Sequence, residues 1–326
     1  RLDEALSEKL GPSAQSTVDR AATLHRLLGY QYASGRFRHD PDNPLPHDLV
    51  MVDEASMVDL PMMSRLVGAL RKTAGLILLG DKDQLASVQA GSVLADICRE
   101  ADGYSSQFGR TLELVAGKPL PPLPGPGKSA VGDCVVLLKR SFRFDASSGI
   151  GKLAAAIQAS DFDRCKEVLS RGNPDLEWVD SPGELSQLEA VVPERFRAAL
   201  DEADIEAALR GLDSFRILCA EKQGTFGVTG MNRAMQTLLR RQQVIGQEGE
   251  FYRNQLVLVN HNDYQQQLFN GEVGLVRGLG EEDEGSFACH FPALDPKEGT
   301  RWCLTSRLPG WETAFALTVH KSQGSE

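Results

Sequence analysis

Asp48-Leu49-Val50-Met51-Val52-Asp53-Glu54-Ala55-Ser56 is the stretch of this 326-residue chain on which the fold prediction depends. Its apolar run, residues 49–52, is typical of a strand buried inside a parallel sheet. Two carboxylates, Asp53 and Glu54, follow that run directly. Open α/β sheets bind their ligands beyond the carboxyl ends of their strands, so the sequence predicts a ligand site at this point.

A carboxylate pair in this position suits a nucleotide hydrolase. Asp53 would hold Mg²⁺, directly or through water, and Glu54 would orient and deprotonate the attacking water. The plainer interpretation is a solvated strand end that caps a helix, because Asp-Glu pairs are common in proteins. The pair by itself leaves both interpretations open.

The composition is that of an ordinary globular protein, with 41% hydrophobic and 25% charged residues. The net charge of −10 argues against a generally basic nucleic-acid coat but is compatible with a local basic groove. No apolar run is long enough to span a bilayer, no signal peptide is visible, and the six cysteines form no Cys-x-x-Cys pair. These features predict reduced thiols in a cytoplasmic protein that has no membrane partner.

Predicted strands alternate with predicted helices along most of the chain. The apolar runs that predict strands are 49–52, 75–79, 134–138, 215–220 and 314–319. Helices are predicted at 23–29, from Asp59 with Pro61 in its first turn, at 92–100, through much of 151–212, and at 229–243. Between 254 and 309 the pattern changes to short β-type runs separated by turns. The alternation predicts two parallel α/β sheets, with a small all-β module inserted in the second.

A phosphate-binding loop of the Gly-x-x-x-x-Gly-Lys-[Ser/Thr] type should accompany the carboxylate pair. The one candidate, Gly127-Lys128-Ser129, has Pro122 where the pattern requires glycine. Pro124 and Pro126 also lack the backbone N–H groups that would cradle a phosphate. Since the chain starts as if inside a helix, we expect the loop to lie upstream of Arg1. The isolated chain is then expected neither to hydrolyse ATP nor to bind it tightly.

Several strand-end clusters, taken together, resemble the motifs of superfamily-one helicases. The clusters are Asp53–Met57, similar to Walker B; Leu79–Leu85, similar to motif III; Ser141-Phe142-Arg143, similar to motif IV; Thr318–Glu326, similar to motif V; and the Thr-x-His segment at Thr23-Leu24-His25. With Asp59–Met63 after the Walker B-like segment, the set resembles the RecD family, the alpha subunits of exodeoxyribonuclease V. The Walker A loop, motif Ia and motif VI are not found, and no motif falls on residues 161–212.

The resemblance implies ATP and Mg²⁺ as cofactors and assigns roles around the nucleotide. Asp53 would bind Mg²⁺, Glu54 would be the general base, and Gln84 would sense the γ-phosphate. Arg143 would reach the γ-phosphate from the second domain, as suits a planar and permanently charged donor. A loop amide that bonds locally is the alternative for Gln84.

The remaining nucleotide contacts implied by the resemblance come from two later motifs. Phe142 would stack near the adenine, with plain core packing as the alternative. Gly324 and Glu326 would lie near the nucleotide.

The resemblance also implies a single-stranded DNA site. Thr23 and His25 would contact the strand backbone, while Thr318, His320 and Lys321 would face DNA phosphates or relay the nucleotide state. The alternative for His25 is a satisfied histidine on a short helix.

The fold class implied is α/β, with two RecA-like parallel-sheet domains and a small SH3-like β-barrel insertion. The expected boundaries are 1–138 for a partial first domain, 139–253 with 310–326 for the second, and 254–309 for the insertion. The insertion would help to hold single-stranded DNA, through residues such as Asn260, His261, Asn270 and Arg307. Tyr264, Phe269 and Trp302 are its aromatic candidates for base stacking, with core packing the favoured interpretation of each.

The function implied is that of an ATP-dependent DNA helicase or translocase subunit, with 5′→3′ polarity taken from the family alone. It would work with the other subunits of exodeoxyribonuclease V in double-strand-break repair and recombination. No cluster of Asp, Glu and Lys suggests a two-metal nuclease site, so nuclease activity would belong to those partners. The alternative is a non-catalytic module that binds DNA or partner subunits.

Overall fold

The computed structural model describes residues 19, 21–31, 34–84, 93–99, 103–119, 130–138, 145–179, 186–263, 265–280, 286–294 and 299–323. The chain forms two compact units, Arg1–Glu177 and Trp178–Glu326. The expected domain boundary at 138/139 lies inside the first unit and borders residues outside the described ranges, so it stays a prediction.

The first unit contains a parallel strand pair that begins with the stretch quoted above. Strand β3 (Leu49–Val52) pairs with β4 (Gly75–Leu78), and the register runs from Leu49 opposite Gly75 to Val52 opposite Leu78. Helix α2 (Leu60–Ala69) connects them, and its buried side chains pack in one core with those of β3. The predicted α2 start is confirmed, because Asp59 accepts a hydrogen bond from the Met62 N–H at 2.7 Å.

The first unit also contains several other elements. They are α1 (Leu24–Leu27), β1 (Tyr30–Gln31), β2 (Arg36–Phe37), α3 (Val93–Arg99), α4 (Ser106–Ala116), α5 (Gly149–Gln158) and α6 (Phe162–Ser170). The strands β1 and β2 form a small antiparallel hairpin. Gly29 closes α1 with a left-handed φ of +67°, as the sequence predicts for a glycine at a helix end.

The predicted strand at 134–138 is wrong. Residues Ala130–Cys134 form a 3₁₀ turn, and residues 135–138 have no regular structure. Val136 and Leu138 are 84% and 88% exposed. An apolar run becomes a strand only where another strand pairs with it, and in the described residues none does so here.

A carboxylate fixes the start of α5. Asp175 accepts hydrogen bonds from the Gly149 and Ile150 N–H groups, both at 3.0 Å. These N–H groups belong to the first helical turn and have no partner within the helix. The Ile150 N–H is the largest cause that lowers the pKa of Asp175 below its usual value. A Cβ at Gly149 would lie 2.6 Å from the same carboxylate, so glycine is required there.

The second unit combines helices with another parallel pair. Its helices are α7 (Ser186–Leu200), α8 (Ile205–Asp213), α9 (Val228–Arg241) and α10 (Val319–Ser322). Strand β5 (Ile217–Cys219) pairs in parallel with β11 (Ala316–Thr318), with Thr318 opposite Cys219. The two parallel pairs, with helices between strands, confirm the α/β class. The described helices all lack the length and apolar character that a membrane span requires.

The β-type runs after residue 254 form a five-stranded antiparallel sheet. Its strands are β6 (Leu256–Val259), β7 (Val273–Gly278), β8 (Phe287–Pro292), β9 (Thr300–Leu304) and β10 (Trp311–Thr313). Their spatial order is β10-β6-β7-β8-β9. The predicted module is therefore present as a sheet, and its last strand lies beyond the expected limit at residue 309.

Alternating side chains of this sheet enter two cores. Leu256, Leu258 and Leu275 pack with the helices of the second unit. Val257, Val276 and Phe291 belong to a separate cluster on the other face. Successive strand residues point to opposite faces, which explains why residues 256–259 are apolar without interruption.

A buried amide holds the turn between β10 and β11. Asn232 on α9 donates from Nδ2 to the Thr313 and Ala316 carbonyls at 2.9 and 3.1 Å. Its Oδ1 accepts from the Ala316 N–H at 2.9 Å. One side chain thus satisfies three backbone groups, the two of Ala316 buried and that of Thr313 partly buried, where the chain leaves the antiparallel sheet for the parallel pair.

Replacing Asn232 with alanine is expected to lower the free energy of unfolding by about 2–4 kcal/mol, because buried backbone groups lose their partners. Urea denaturation of the whole chain measures the effect. Thr237→Ala is the control: it removes an exposed hydroxyl from the same helix and should change stability by less than about 0.5 kcal/mol. Equal effects of both substitutions would contradict the assigned role of Asn232.

The Asp175 cap predicts a pH dependence. Since the folded protein lowers the pKa of this carboxyl, its stabilising contribution is present above the unfolded pKa of about 3.9 and is lost as pH falls through the folded pKa. Asp175→Asn should remove that part of the acid sensitivity of the first unit. Denaturation midpoints followed from neutral to acid pH test this, with Glu177→Gln as the charge-matched neighbour. An unchanged pH profile for Asp175→Asn would refute the cap.

Candidate functional site

The segments that follow β3 and β4 are hydrogen-bonded to each other. The Leu79 N–H donates to the Val52 carbonyl, and the Ala55 N–H donates to the Leu79 carbonyl, both at 2.8 Å. The ladder of the parallel pair therefore continues past the strands. It places the carboxylate segment beside the loop that contains Gly80 and Gln84.

A side-chain hydrogen bond joins the same two segments. The buried hydroxyl of Ser56 donates to Oε1 of Gln84 at 3.3 Å. Sequence reasoning placed Gln84 in this site but gave Ser56 no part in it. The signal in the sequence for a role of Ser56 is its position, two residues after the carboxylate pair. The partner of Gln84 is therefore not in its own loop but 28 residues away, within the carboxylate segment.

Close packing at Gly80 makes this arrangement specific. A Cβ at residue 80 would lie 3.1 Å from the backbone nitrogens of Ala55 and Ser56. It would also lie 2.8 Å from the Leu94 side chain, which can move. The Ala55 nitrogen donates to the Leu79 carbonyl and cannot shift without weakening that bond, so glycine is favoured where the two segments touch.

Glu54 has an unusual backbone. Its φ and ψ are 51° and 39°, in the left-handed region, which costs a residue with a side chain on the order of 1 kcal/mol. The Glu54 N–H donates to Oδ1 of Asp53 at 2.9 Å. Asp53 is exposed and Glu54 is half-buried, so the turn separates the environments of the two carboxylates.

The donor atoms at this strand end fit Mg²⁺, which prefers oxygen ligands. Protein sites for Mg²⁺ bound to a nucleotide use one or two carboxylates, and phosphates and waters complete the shell. Asp53 fits that pattern. In the described residues no group of three or more His, Cys, Asp or Glu side chains could hold a metal by itself.

Thr23 and His25 lie together at the short helix α1. Thr23 is its N-cap and accepts from the Arg26 N–H at 3.4 Å. The exposed ring of His25 meets Tyr30 edge-on, with centroids 5.4 Å apart, and lies 5.8 Å from Phe37. The Arg65 guanidinium lies 4.8 Å above the Phe37 ring. The His25 ring is exposed and the rings of Tyr30 and Phe37 are half-buried. Rings that lie beside a cation are suited to contacts with bases and phosphates.

Thr318, His320 and Lys321 come together in the second unit, at the end of β11. Thr318 caps α10, and its Oγ1 accepts from the Lys321 N–H at 3.2 Å. The Lys321 ammonium contacts the Glu312 carboxylate and donates to Oδ1 of Asn260 at 3.2 Å. Sequence reasoning gave no role to Glu312.

Some predicted site residues lie outside the described ranges: Tyr264, Phe142, Arg143, Gly324 and Glu326. The favoured interpretation of Trp302 as a core residue is wrong, because this residue is 60% exposed on β9. Phe269 is half-buried.

Comparison with known proteins gives one consistent relationship. The family model described as an AAA domain matches residues 1–90, which include Asp53 and Gln84. The RecBCD enzyme subunit RecD of Mycolicibacterium smegmatis is 39% identical over 315 residues, which cover 94% of this chain and 48% of that protein. The RecD subunit of Haemophilus influenzae is 31% identical over 361 residues, covering 100% of this chain and 54% of that protein.

The chain belongs to the RecD family. It spans about half the length of the RecD subunits that it matches. A more distant relative is the ATP-dependent RecD2 DNA helicase of Deinococcus radiodurans, 28% identical over 94% of this chain and 35% of that protein.

Solved structures of Bacteroides Pif1 also align with the chain. One is bound to single-stranded DNA, with a TM-score of 0.41 and 15% identity over 99% of this chain and 76% of that one. Another, in complex with ADP-AlF3 and single-stranded DNA, gives 0.45 and 17% with the same coverage. Similarity at this level supports no conclusion, and the RecD relationship rests on sequence identity.

The contact at Gly80 gives a test in this RecD relative. Gly80→Ala is expected to lower the free energy of unfolding by about 1–3 kcal/mol, because the new methyl group meets backbone atoms. Gly68→Ala is the matched control, since its Cβ would lie 3.7 Å from Pro41 within a helix and should stabilise by roughly 0.5–1 kcal/mol. Urea titrations of both variants measure the difference. Two substitutions with the same sign would contradict the close contact.

Proposed function

We propose that this chain is part of an ATP-dependent DNA helicase or translocase subunit of a RecBCD (exodeoxyribonuclease V) complex, acting in double-strand-break repair and recombination. The observation that carries the proposal is the junction at the ends of β3 and β4. There, the Ser56–Gln84 bond and the Ala55–Leu79 bond connect a carboxylate pair to a polar loop. The names of the relatives, RecD subunit and ATP-dependent DNA helicase, agree with that chemistry.

The proposed nucleotide chemistry assigns separate tasks to the strand-end residues. ATP would supply the γ-phosphoryl group, and its transfer to water would drive the motor, while Mg²⁺ would neutralise charge on the phosphates. Asp53 would hold Mg²⁺, and Glu54 would accept the proton of the attacking water. Gln84 reports the nucleotide state to the carboxylate segment through Ser56. Support comes from the exposure of Asp53, the strained turn at Glu54, and the hydrogen bond to Ser56.

Four further nucleotide contacts belong to the same proposal. Arg143 reaches the γ-phosphate, Phe142 lies near the adenine, and Gly324 and Glu326 line the nucleotide. Their support is the order of motifs along a chain that is 39% identical to a RecD subunit.

The DNA contacts are assigned to two separate clusters. Thr23 and His25 contact a single strand beside the half-buried rings of Tyr30 and Phe37. Thr318, His320 and Lys321 contact it at the end of β11. Single strands are generally held by phosphate contacts together with base stacking, and these clusters offer both. We assign 5′→3′ polarity to the motor and propose the other subunits of the complex as its protein partners.

The architecture proposed is two RecA-like domains with an SH3-like insertion in the second. With β10 included, the insertion ends at Thr313 and not at the expected residue 309. The parallel pairs β3–β4 and β5–β11 and the five-stranded sheet support it. The free cysteines in the described residues fit a reducing compartment, so we assign the protein to the cytoplasm. The alternative of a non-catalytic module is not favoured by the RecD and RecD2 relatives.

Glu54→Gln in the full-length protein tests the proposal. The substitution removes the proton acceptor and keeps the size of the side chain, so DNA-stimulated ATP turnover should fall by about 10²–10⁴-fold. Binding of ATP should persist, because the other contacts remain. Phosphate release with and without single-stranded DNA measures turnover, and Glu194→Gln on α7 controls for the change in charge. DNA-stimulated turnover at the unmodified rate in Glu54→Gln would refute the role of Glu54, and its absence from the unmodified protein would refute the motor.

A further inference from the structure

Two lysines of the second unit approach the same carboxylate. The Lys321 ammonium contacts Oε1 of Glu312. On the other side, Nζ of Lys222 lies 4.0 Å from Oε2 of the same residue. Three charged groups therefore lie in a row, with a net charge of +1.

The positions of the two lysines in the fold are equivalent. Lys222 is the third residue after β5, and Lys321 is the third residue after β11. The two strands are parallel, with Thr318 opposite Cys219 at their last paired residues. Both lysines therefore project from the carboxyl edge of the pair, where α/β sheets bind their ligands.

The local backbone holds this arrangement in place. The N–H and the hydroxyl of Thr229, in the first turn of α9, both donate to the Lys222 carbonyl at 3.1 Å. Glu312 is paired with Leu258 inside the five-stranded sheet. Asn260, just after β6, accepts a hydrogen bond from Lys321. The antiparallel sheet thus supplies the groups that meet Lys321.

Lys222 and Lys321 could together bind an anion, and the Glu312 carboxylate already occupies the position that the anion would take. The Glu312 carboxylate makes with Lys321 the charge-assisted hydrogen bond that a phosphate would make, and it attracts the Lys222 ammonium across 4.0 Å. Ion pairs that water can reach are weak, so a phosphate can compete for the lysines. The Lys222 side chain is 67% exposed, against 34% for Lys321 and 25% for Glu312, so an incoming ligand meets Lys222 first.

We propose that Lys222 and Lys321 together bind one backbone phosphate of the single strand, and that the Glu312 carboxylate competes with that phosphate for both ammonium groups. The inference rests on the proposed function, and it adds Lys222 as a DNA contact and Glu312 as a residue that weakens binding. It also gives the five-stranded sheet a part in setting the affinity, because Glu312 belongs to that sheet.

The test is equilibrium binding of a fluorescent oligothymidylate of about 16 nucleotides, measured by anisotropy across a series of salt concentrations. Lys222→Gln should make the slope of log affinity against log salt shallower by about 0.7, as expected for one lost phosphate contact on a single strand. Glu312→Gln should tighten binding about two- to fivefold at low salt, since the competing charge is gone. The gain should shrink when Lys222→Gln is also present.

Glu248→Gln is the matched control, because it removes the same charge from the loop after α9. It should leave both slope and affinity unchanged. Lys222 is largely exposed, so Lys222→Gln should leave stability unchanged. It therefore tests the inference even where Glu312→Gln lowers stability. A urea titration of each variant separates folding defects from binding defects.

The outcomes separate this inference from the proposed function. Salt-dependent binding that Lys222→Gln leaves unaltered, or a Glu312→Gln gain no larger than that of Glu248→Gln, overturns the inference alone. If ATP displaces the oligonucleotide and Lys222→Gln abolishes that displacement, the lysine pair binds a nucleotide phosphate. That result would also overturn the inference. No binding by the unmodified protein overturns both proposals.

Discussion

The register of the two parallel strand pairs is the constraint on which both candidate sites depend. Parallel strands that end together release their following loops at the same edge of the sheet. In the first unit this places residues after Val52 beside residues after Leu78. In the second unit it places the turn after Cys219 beside the short helix after Thr318. A shift of one residue in either pair would separate the polar groups that now meet.

In the first unit, the positions of the two carboxylates depend on several residues besides Asp53 and Glu54. The Ala55 N–H donates to the Leu79 carbonyl, and the absence of a side chain at Gly80 lets the loop after β4 lie close to the backbone of Ala55 and Ser56. The Ser56 hydroxyl then has a partner within reach in Gln84. Ala55, Ser56 and Gly80 could not perform the proposed chemistry, yet all three determine where Asp53 and Glu54 lie. The second unit has a comparable support in Asn232, which ties the turn before β11 to α9.

Sequence reasoning succeeded where local chemistry decides the outcome. The apolar run at 49–52 and the Asp59 cap with Pro61 each carry a strong local signal, and both were predicted. The run at 134–138 has equal apolar character but no pairing strand among the described residues, and it is not a strand. Trp302 is exposed because it lies on the edge strand β9, a fact that depends on the strand order. The contact between Glu312 and Lys321 depends on how β10 pairs with β6, which no spacing in the sequence reveals.

The left-handed backbone of Glu54 has a consequence for how this protein tolerates redesign. Glycine adopts that conformation without strain, so a sequence chosen for folding stability alone would replace Glu54 with glycine. That choice would remove the side chain to which proton transfer is assigned. Stability and activity therefore make opposite demands on a single position, and efforts to raise the melting temperature should leave it unchanged. The same opposition makes residue 54 a place where one substitution can give a more stable protein that lacks the proposed proton acceptor.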